Sequence, residues 1–415
     1  MRIAFVFYDR PDWFGGPAVN ARRLLPELQR RGHEVVALIP FRGSHSPAAQ
    51  YLERHGVQCR SEPRPESTEE LVRWCVSQVG DLEPDVFVSN ESIPAHFAGR
   101  WIRQAGIATI AAHRSDDPFH WGMVEQFVTG PGQWAVSGLV CVAKDIEKKV
   151  RGRSPAHTEL CTIPSGVPIP ARPIASHSPF RIAYVGRLRQ KQKRIRHVVR
   201  CICEIVAKRG GTEGIIIGDG REAESVQAFL EEYGVEDRVW FAGPIPNEKL
   251  HSQLHGASAI LLLSDYEGTP GAIMDGMACG LVPICRHIPG GLQELINDRQ
   301  TGIFVHDDSA VGDAIDALIA DPRRWEAISH LARQRIVHGF SLEAAAKKWE
   351  RFCEQLTSRK QSRKCLELPK KIELPPVHED TARDDRRYTA KYQQLIRMGF
   401  QKTRTAFAHL FEVVS

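Results

Sequence analysis

Along the first 170 residues, short apolar runs alternate with stretches whose apolar positions recur every three to four residues. The runs at 2–8, 34–39, 85–89, 107–111 and 139–143 have strand length and are apolar nearly throughout, the mark of strands buried on both faces. Between the first two, residues 17–31 place Leu24, Leu25 and Leu28 at helical spacing and stop at Gly32. Strands separated by helices imply a parallel sheet covered on both sides. Pro164, Pro168, Pro170, Pro173 and Pro179, with Gly166, then crowd a segment in which no period survives, so a linker is expected at about 165–180.

A second alternation starts at 180–185 and continues through 214–217, 239–241, 257–263 and 281–285. Residues 341–356, with Leu342, Ala345, Trp349, Phe352 and Leu356 at helical spacing, are expected to close this second unit. The chain thus reads as α/β, with an N-terminal Rossmann-like domain over 1–170 and a C-terminal one over 180–356, each a doubly wound parallel sheet. Two such sheets facing one another put the carboxyl ends of their strands on either side of a cleft, where open α/β sheets bind ligands.

Beyond Thr357 the pattern changes. Arg359, Lys360, Arg363, Lys364, Lys370 and Lys371, interrupted by Pro369, Pro375 and Pro376, read as a basic tether; 384–411 then read as an amphipathic helix with Tyr388, Tyr392, Leu395, Ile396, Phe407 and Phe411 near one face. Charge follows this division. The chain has 55 Lys+Arg against 50 Asp+Glu, a net +5, but 357–415 carry 13 against 7, or +6, leaving −1 for residues 1–356. An acidic partner or an anionic membrane surface is therefore a matter for the tail alone, where docking on the protein's own surface or on a second subunit is the plainer alternative.

No run approaches the roughly 18 apolar residues that span a bilayer, so no transmembrane helix is expected. The opening run leads into Asp9-Arg10 and reads as a first strand, not as a signal peptide. The ten cysteines form no Cys-x-x-Cys pair and no zinc-like grouping, which suits free thiols in a reducing cytoplasm. A cytoplasmic protein, peripheral at the inner face of the membrane if the tail binds there, is the expectation.

The most informative segment follows the run at 257–263. Glu267 sits in a turn, Gly268, Thr269 and Gly271 leave backbone N–H groups open, Pro270 suits a first helical turn, and Asp275 lies further along the same helix. A helix start facing the cleft could take a phosphate or a sugar hydroxyl, and two carboxylates eight positions apart could hold two hydroxyl-bearing parts of one ligand. Residues 187–200 hold Arg187, Arg189, Lys191, Lys193, Arg194, Arg196 and Arg200 at a strand end; without interleaved aromatics this cluster favours a diphosphate over nucleic acid. Trp13-Phe-Gly15-Gly16-Pro17 opens the first helix, where glycines allow an anion to approach the backbone, and His113, Asp116 and Asp117 follow another strand.

The stretch from Glu267 to Pro283, ending in Met-Ala-Cys-Gly-Leu-Val-Pro, resembles the paired-acid element of retaining GT-B glycosyltransferases of family 4, with Asp275 in place of the second Glu. Tyr184-Val-Gly186-Arg187-Leu188, Lys193, Ile216-Ile-Gly218-Asp219-Gly220 and Phe241-Ala-Gly243-Pro244 are similar to that family's further landmarks, in order. The resemblance spans about 1–356 and is strongest in the second half. It implies a GT-B fold and a retaining transfer of a hexose from a nucleotide-sugar donor to a sugar or lipid-linked acceptor, without a metal or other cofactor, in polysaccharide or glycolipid assembly. It implies that Arg187 and Lys193 stabilise the departing diphosphate and that Glu267 and the amides of Gly268 to Gly271 meet the donor sugar. Asp275 would hold the ribose; Gly186, Gly218, Asp219, Gly243 and Pro244 would line the nucleotide pocket; Gly15 and Gly16 would lie near the donor phosphate and the acceptor, and His113 would be a catalytic group that contacts donor or acceptor.

Three other readings are weaker. Gly218-Asp-Gly-Arg-Glu-Ala223 satisfies a Gly-x-Gly-x-x-Ala dinucleotide pattern, but in the middle of a domain and not at its first strand, which argues against a nicotinamide oxidoreductase. A nucleotide-sugar epimerase would consume donor without an acceptor, and a non-catalytic relative would bind without turnover.

Overall fold

The computed structural model describes residues 1–11, 16–358 and 362–384. Two parallel sheets form its frame. The first contains β1 (Arg2–Val6), β2 (Glu34–Phe41), β3 (Gln58–Pro63), β4 (Val86–Asn90), β5 (Ala108–His113), β6 (Gly138–Cys141) and β7 (Glu159–Thr162), in the order β3-β2-β1-β4-β5-β6-β7. The second contains β8 (Phe180–Val185), β9 (Thr212–Ile217), β10 (Val239–Gly243), β11 (Ala259–Leu262), β12 (Val282–Arg286) and β13 (Ile303–Val305), in the order β10-β9-β8-β11-β12-β13. In each, strand order reverses once, between β1 and β4 and between β8 and β11. Connections leave those two strands toward opposite faces, which opens a crevice at their carboxyl ends. Loops after β1, β8 and β11 therefore converge on the cleft before any side chain is considered.

Buried apolar residues explain the central strands: Ile3, Ala4, Phe5 and Val6 of β1, and Ala259, Ile260, Leu261 and Leu262 of β11, are sealed on both faces. The periodic pattern passes over β3, β7 and β13. All three are sheet edges, and β3, with the sequence Gln-Cys-Arg-Ser-Glu-Pro, is mostly exposed and polar, so it lacks the apolar signal of a central strand.

Two expectations about the C-terminal region are corrected. Helix Leu342–Ser358 does not close the second domain. Its Ala345, Ala346, Trp349, Phe352 and Cys353 pack in the core of the first sheet, Trp349 lies 6.3 Å from the Phe5 ring, and a Cβ at Gly138 would meet Leu356 and Phe352 at 2.7 Å. The apolar stripe was legible, but a stripe does not say which of two sheets it covers. Nor are residues 362–384 a free tether. Lys364 donates its backbone N–H to Ala105 O (3.1 Å), Arg363 pairs with Asp85 (2.8 Å), and Ile372 is buried in the core beneath helix Thr68–Leu82 and helix Ile93–Gln104, with Leu366, Leu368, Leu374 and Val377 packed beside it. Leu366 and Leu368 flank Glu367, and Ile372 and Leu374 flank Glu373, so alternate side chains anchor a segment that lacks regular backbone pairing. At Asp384, the last of the described residues, the carboxylate accepts from Ile93 N (2.9 Å) and from Arg64 (2.9 Å). The expected amphipathic helix lies outside the described residues, apart from Asp384.

Candidate active site

On the second domain, β8 runs into Gly186-Arg187 and β9 into Gly218-Asp219. The two turns stack backbone on backbone: a Cβ at Gly218 would lie 1.8 Å from Gly186 O, so only glycine fits. Beside them is a cavity of about 220 Å³. Val19, Val185, Ile217, Pro244, Ile245 and Leu250 give it apolar walls, and Arg10, Arg187, Arg189, Asp219 and Asn247 its polar edge. Of the expected residues, Gly186, Arg187, Gly218, Asp219 and Pro244 line it directly; Gly243, at φ +65°, ends β10 and accepts the Gly218 N–H at 2.9 Å. The Gly-x-Gly-x-x-Ala match falls after β9, away from the point where strand order reverses.

Lys193 and Glu267 meet at the foot of this cavity's loops. Lys193 Nζ lies 2.5 Å from Glu267 Oε1, with side chains 13% and 9% exposed. Gln192 staples the surrounding loops together. It accepts from Arg187 Nη2 (2.9 Å), donates to Tyr266 O (3.1 Å), and its carbonyl accepts from Asp265 N (3.0 Å). Burial, with the Glu267 charge beside it, raises the pKa of Tyr184, whose hydroxyl donates to Arg187 O (3.0 Å) and so fixes the turn carrying Arg187. The seven-cation cluster divides: Arg194 pairs with Asp308 (2.8 Å) and Arg196 with Glu222 (2.7 Å), structural roles, whereas Arg187 lines the cavity and Lys193 reaches Glu267.

Pro270 precedes helix Gly271–Cys279, as the sequence suggested, and a Cβ on Gly271 would meet nothing within 4 Å. Gly268 is crowded from across the cleft: its Cβ would sit 2.2 Å from Arg114 O of the first domain. Thr269 Oγ1 donates to Val142 O (2.8 Å), and Asp145 N–H donates to Glu294 Oε1 (3.0 Å). The two domains thus touch at the loop after β11.

The first domain departs further from expectation. Gly15 lies outside the described residues; Gly16 begins helix Gly16–Arg30 and has open space around it. His113 ends β5 but is fully buried, between His120 (5.3 Å) and Trp121 (4.8 Å), and neither ring nitrogen has a hydrogen-bond partner. Burial, reinforced by the neighbouring His120 charge, holds its pKa well below the usual imidazole range, so the ring is neutral. Asp116 and Asp117 are taken up by partners within the first domain. Asp116 accepts from Trp121 Nε1 (2.7 Å) and pairs with Lys149 (2.7 Å); Asp117 caps helix Pro118–Phe127 and holds His120 Nδ1 at 2.8 Å. Turn-forming Asp-Asp-Pro chemistry accounts for both. His120 lies between Asp117 and Glu91 (3.4 Å); burial opposes its charge, but the hydrogen bond to Asp117 and the charges of the two carboxylates outweigh it and push the pKa up to about 9.

Asp275 is also placed differently. It does not line the cavity. Both its oxygens accept from Arg23 Nη2 (3.0 Å each), on the first domain's first helix, and Oδ1 also meets His251 Nε2 (3.1 Å). The same Arg23 nitrogen donates to Asn247 Oδ1 (2.8 Å). Asn247, Gln192, Arg10 and Arg23 are the site residues that the sequence did not single out; the Pro244-Ile-Pro-Asn247 turn was the available signal for the first, while Arg23 reads as an ordinary helix-surface cation.

Residues 14–169 match the family model described as Glycosyltransferase Family 4, and residues 179–321 match the one described as Glycosyl transferases group 1. Glycogen synthase of Mycobacterium tuberculosis is 23% identical over 385 residues, covering 83% of this chain and 92% of that protein. N-acetyl-alpha-D-glucosaminyl L-malate synthase of Bacillus anthracis is 29% identical over 163 residues, 39% of this chain and 42% of that protein. Among solved structures, Anabaena Alr3699/HepE in complex with UDP-glucose superposes with a TM-score of 0.66 at 16% identity, covering 86% of this chain and all of that one. Two parallel-sheet domains, each half matching its own glycosyltransferase model, identify the chain as a member of the group 1/family 4 glycosyltransferases with the GT-B fold.

Proposed function

We propose that this glycosyltransferase moves a hexose from a nucleotide sugar to an acceptor hydroxyl with retention of anomeric configuration and without a metal, in polysaccharide or glycolipid assembly. The observation that carries the reading is the Lys193–Glu267 pair beside Arg187, set at the edge of an apolar cavity in a closed cleft. A nucleobase suits the apolar walls, with the ribose at the polar edge and the diphosphate toward Arg187 and Lys193. Without donor, Lys193 and Glu267 neutralise each other. With donor, Lys193 turns to the diphosphate and Glu267 accepts from sugar hydroxyls. The C1–oxygen bond to the diphosphate then breaks as negative charge develops on the leaving group, where fixed cations in a water-poor site act most strongly. The acceptor oxygen bonds to C1 from the same face, and its proton passes to the departing diphosphate. His113 is sealed between His120 and Trp121, so no contact with the sugar is assigned to it.

One relative's name gives its donor, GDP-mannose, and the HepE structure is in complex with UDP-glucose; both support a nucleotide-sugar donor, and a screen decides which. UDP-, GDP- and ADP-hexoses are offered with and without sugar and lipid-linked acceptors, in the presence of a metal chelator, and product anomers are read by NMR. Transfer with retained configuration in chelator supports the reading; inverted product, or transfer lost in chelator and restored by a divalent metal, refutes that part of it. Consumption of donor with no acceptor present would favour an epimerase. A membrane or second-subunit contact through the tail is proposed only on its +6 charge and apolar positions. Among the described residues no helix is long and apolar enough to cross a membrane.

A further inference from the structure

Asp275 occupies the position of the family's second acid, yet its surroundings assign it elsewhere. Its side chain is 4% exposed, that of Arg23 is 8% exposed, and the two come from opposite domains. Both carboxylate oxygens are taken by Arg23, and His251 shares one of them. One turn before Arg23 on the same helix, Val19 forms part of the nucleotide cavity's wall; Asn247, held by the same Arg23 nitrogen, forms part of its polar edge. Closing the cleft over a nucleotide and forming the Arg23–Asp275 pair are therefore one movement.

We propose that Arg23 and Asp275 are an interdomain latch that holds the cleft shut over the nucleotide, and that Arg23 orients Asn247 so that its amide, and not Asp275, meets the ribose. In an open cleft both charges are hydrated. In the closed one each is nearly buried, so removing either leaves the other buried without its partner, a penalty on the closed state alone. Removing both charges together relieves that penalty. Asp suits this role better than Glu: one methylene shorter, it keeps its carboxylate back against Arg23 instead of extending it toward the cavity. Arg23, Asp275 and His251 are positioning residues, acting through closure and through Asn247. The ribose half of the proposal rests on the donor reading above; the latch itself does not.

The test uses the full chain as wild type, Arg23→Gln, Asp275→Asn and the double variant. Small-angle scattering without ligand is expected to show both single variants more expanded than wild type and the double variant no more expanded than either. With donor, each single variant should raise KM by roughly ten- to a hundredfold, a common range for coupled closure, with a smaller effect on kcat and no further loss in the double variant. Unchanged dimensions in both single variants would overturn the latch. So would a KM increase confined to Asp275→Asn that disappears with a 2′-deoxy donor, because that outcome makes Asp275 a ribose ligand. If the neutral variants do not fold, Arg23→Lys serves in their place: a lysine cannot hold Asp275 and Asn247 in the same geometry, so intermediate expansion is expected, and wild-type dimensions with wild-type KM would count against the proposal. Should no nucleotide sugar be turned over by the wild type, the donor reading fails while the scattering result still decides on the latch.

Discussion

Raising the pH from 6 to 9.5 should discharge His120 and weaken the first domain. The folded-state pKa of this buried imidazolium is pushed up to about 9 by Asp117 and Glu91, against about 6.5 in an unfolded chain. A raised value means that the folded state holds the proton more tightly. The stabilisation is therefore complete below pH 6.5 and is lost as pH rises through about 9. A difference of about 2.5 units at 1.36 kcal/mol each corresponds to about 3 kcal/mol. Asp117 and His120 share one ion pair, so this figure covers both partners. His113 does not blur the comparison: its pKa is held low by burial, so it is neutral across the window. Denaturant unfolding at half-unit pH steps, for wild type and His120→Gln, isolates the effect as the difference between the two. That difference should shrink by about 3 kcal/mol between pH 6.5 and 9. A difference that stays constant over this range would show that folding does not raise the His120 pKa, and the assignment of a buried imidazolium would fall.

Two further predictions concern closure and the strap. Gly268→Ala puts a methyl where Arg114 O already lies 2.2 Å away, so turnover should fall at least tenfold while the melting temperature changes little, since the clash exists only when the cleft closes; normal turnover would show that Gly268 does not meet Arg114 in the working enzyme. Compared with truncation after Asp384, truncation after Ser358 also removes buried Ile372 and the Asp384 contacts to Arg64 and Ile93, and should lower the melting temperature by several degrees; equal melting temperatures of the two truncated chains would mean that the strap does not dock.

Much of this architecture was legible because central strands buried on both faces have nowhere to place a polar residue. Ile3 to Val6 and Ala259 to Leu262 announce themselves for that reason, and turns that admit only glycine, such as Gly218, fix the loops between them. Edge strands β3, β7 and β13 are covered on fewer sides and lose the signal. The site followed the same division. Gly186, Arg187 and Pro244 are set by strand ends within one domain and were found where expected, lining the cavity. Residues whose surroundings come from the other domain were not. Asp275 meets Arg23 only when two sheets approach, and nothing at either position along the chain reports the other. Helix Leu342–Ser358 was recognised as a helix but assigned to the wrong sheet, because amphipathicity records that a face is buried and not what buries it.

The central claim is that Lys193 and Glu267 are the groups that hold a nucleotide sugar's diphosphate and sugar for transfer. Steady-state transfer from the best donor, measured for Lys193→Ala and Glu267→Ala alongside their melting curves, tests it most directly. Loss of one electrostatic group at a developing charge typically costs about 10²–10³ in kcat, and each variant should show at least that loss while remaining folded. Turnover within a few-fold of wild type in either folded variant would contradict the account.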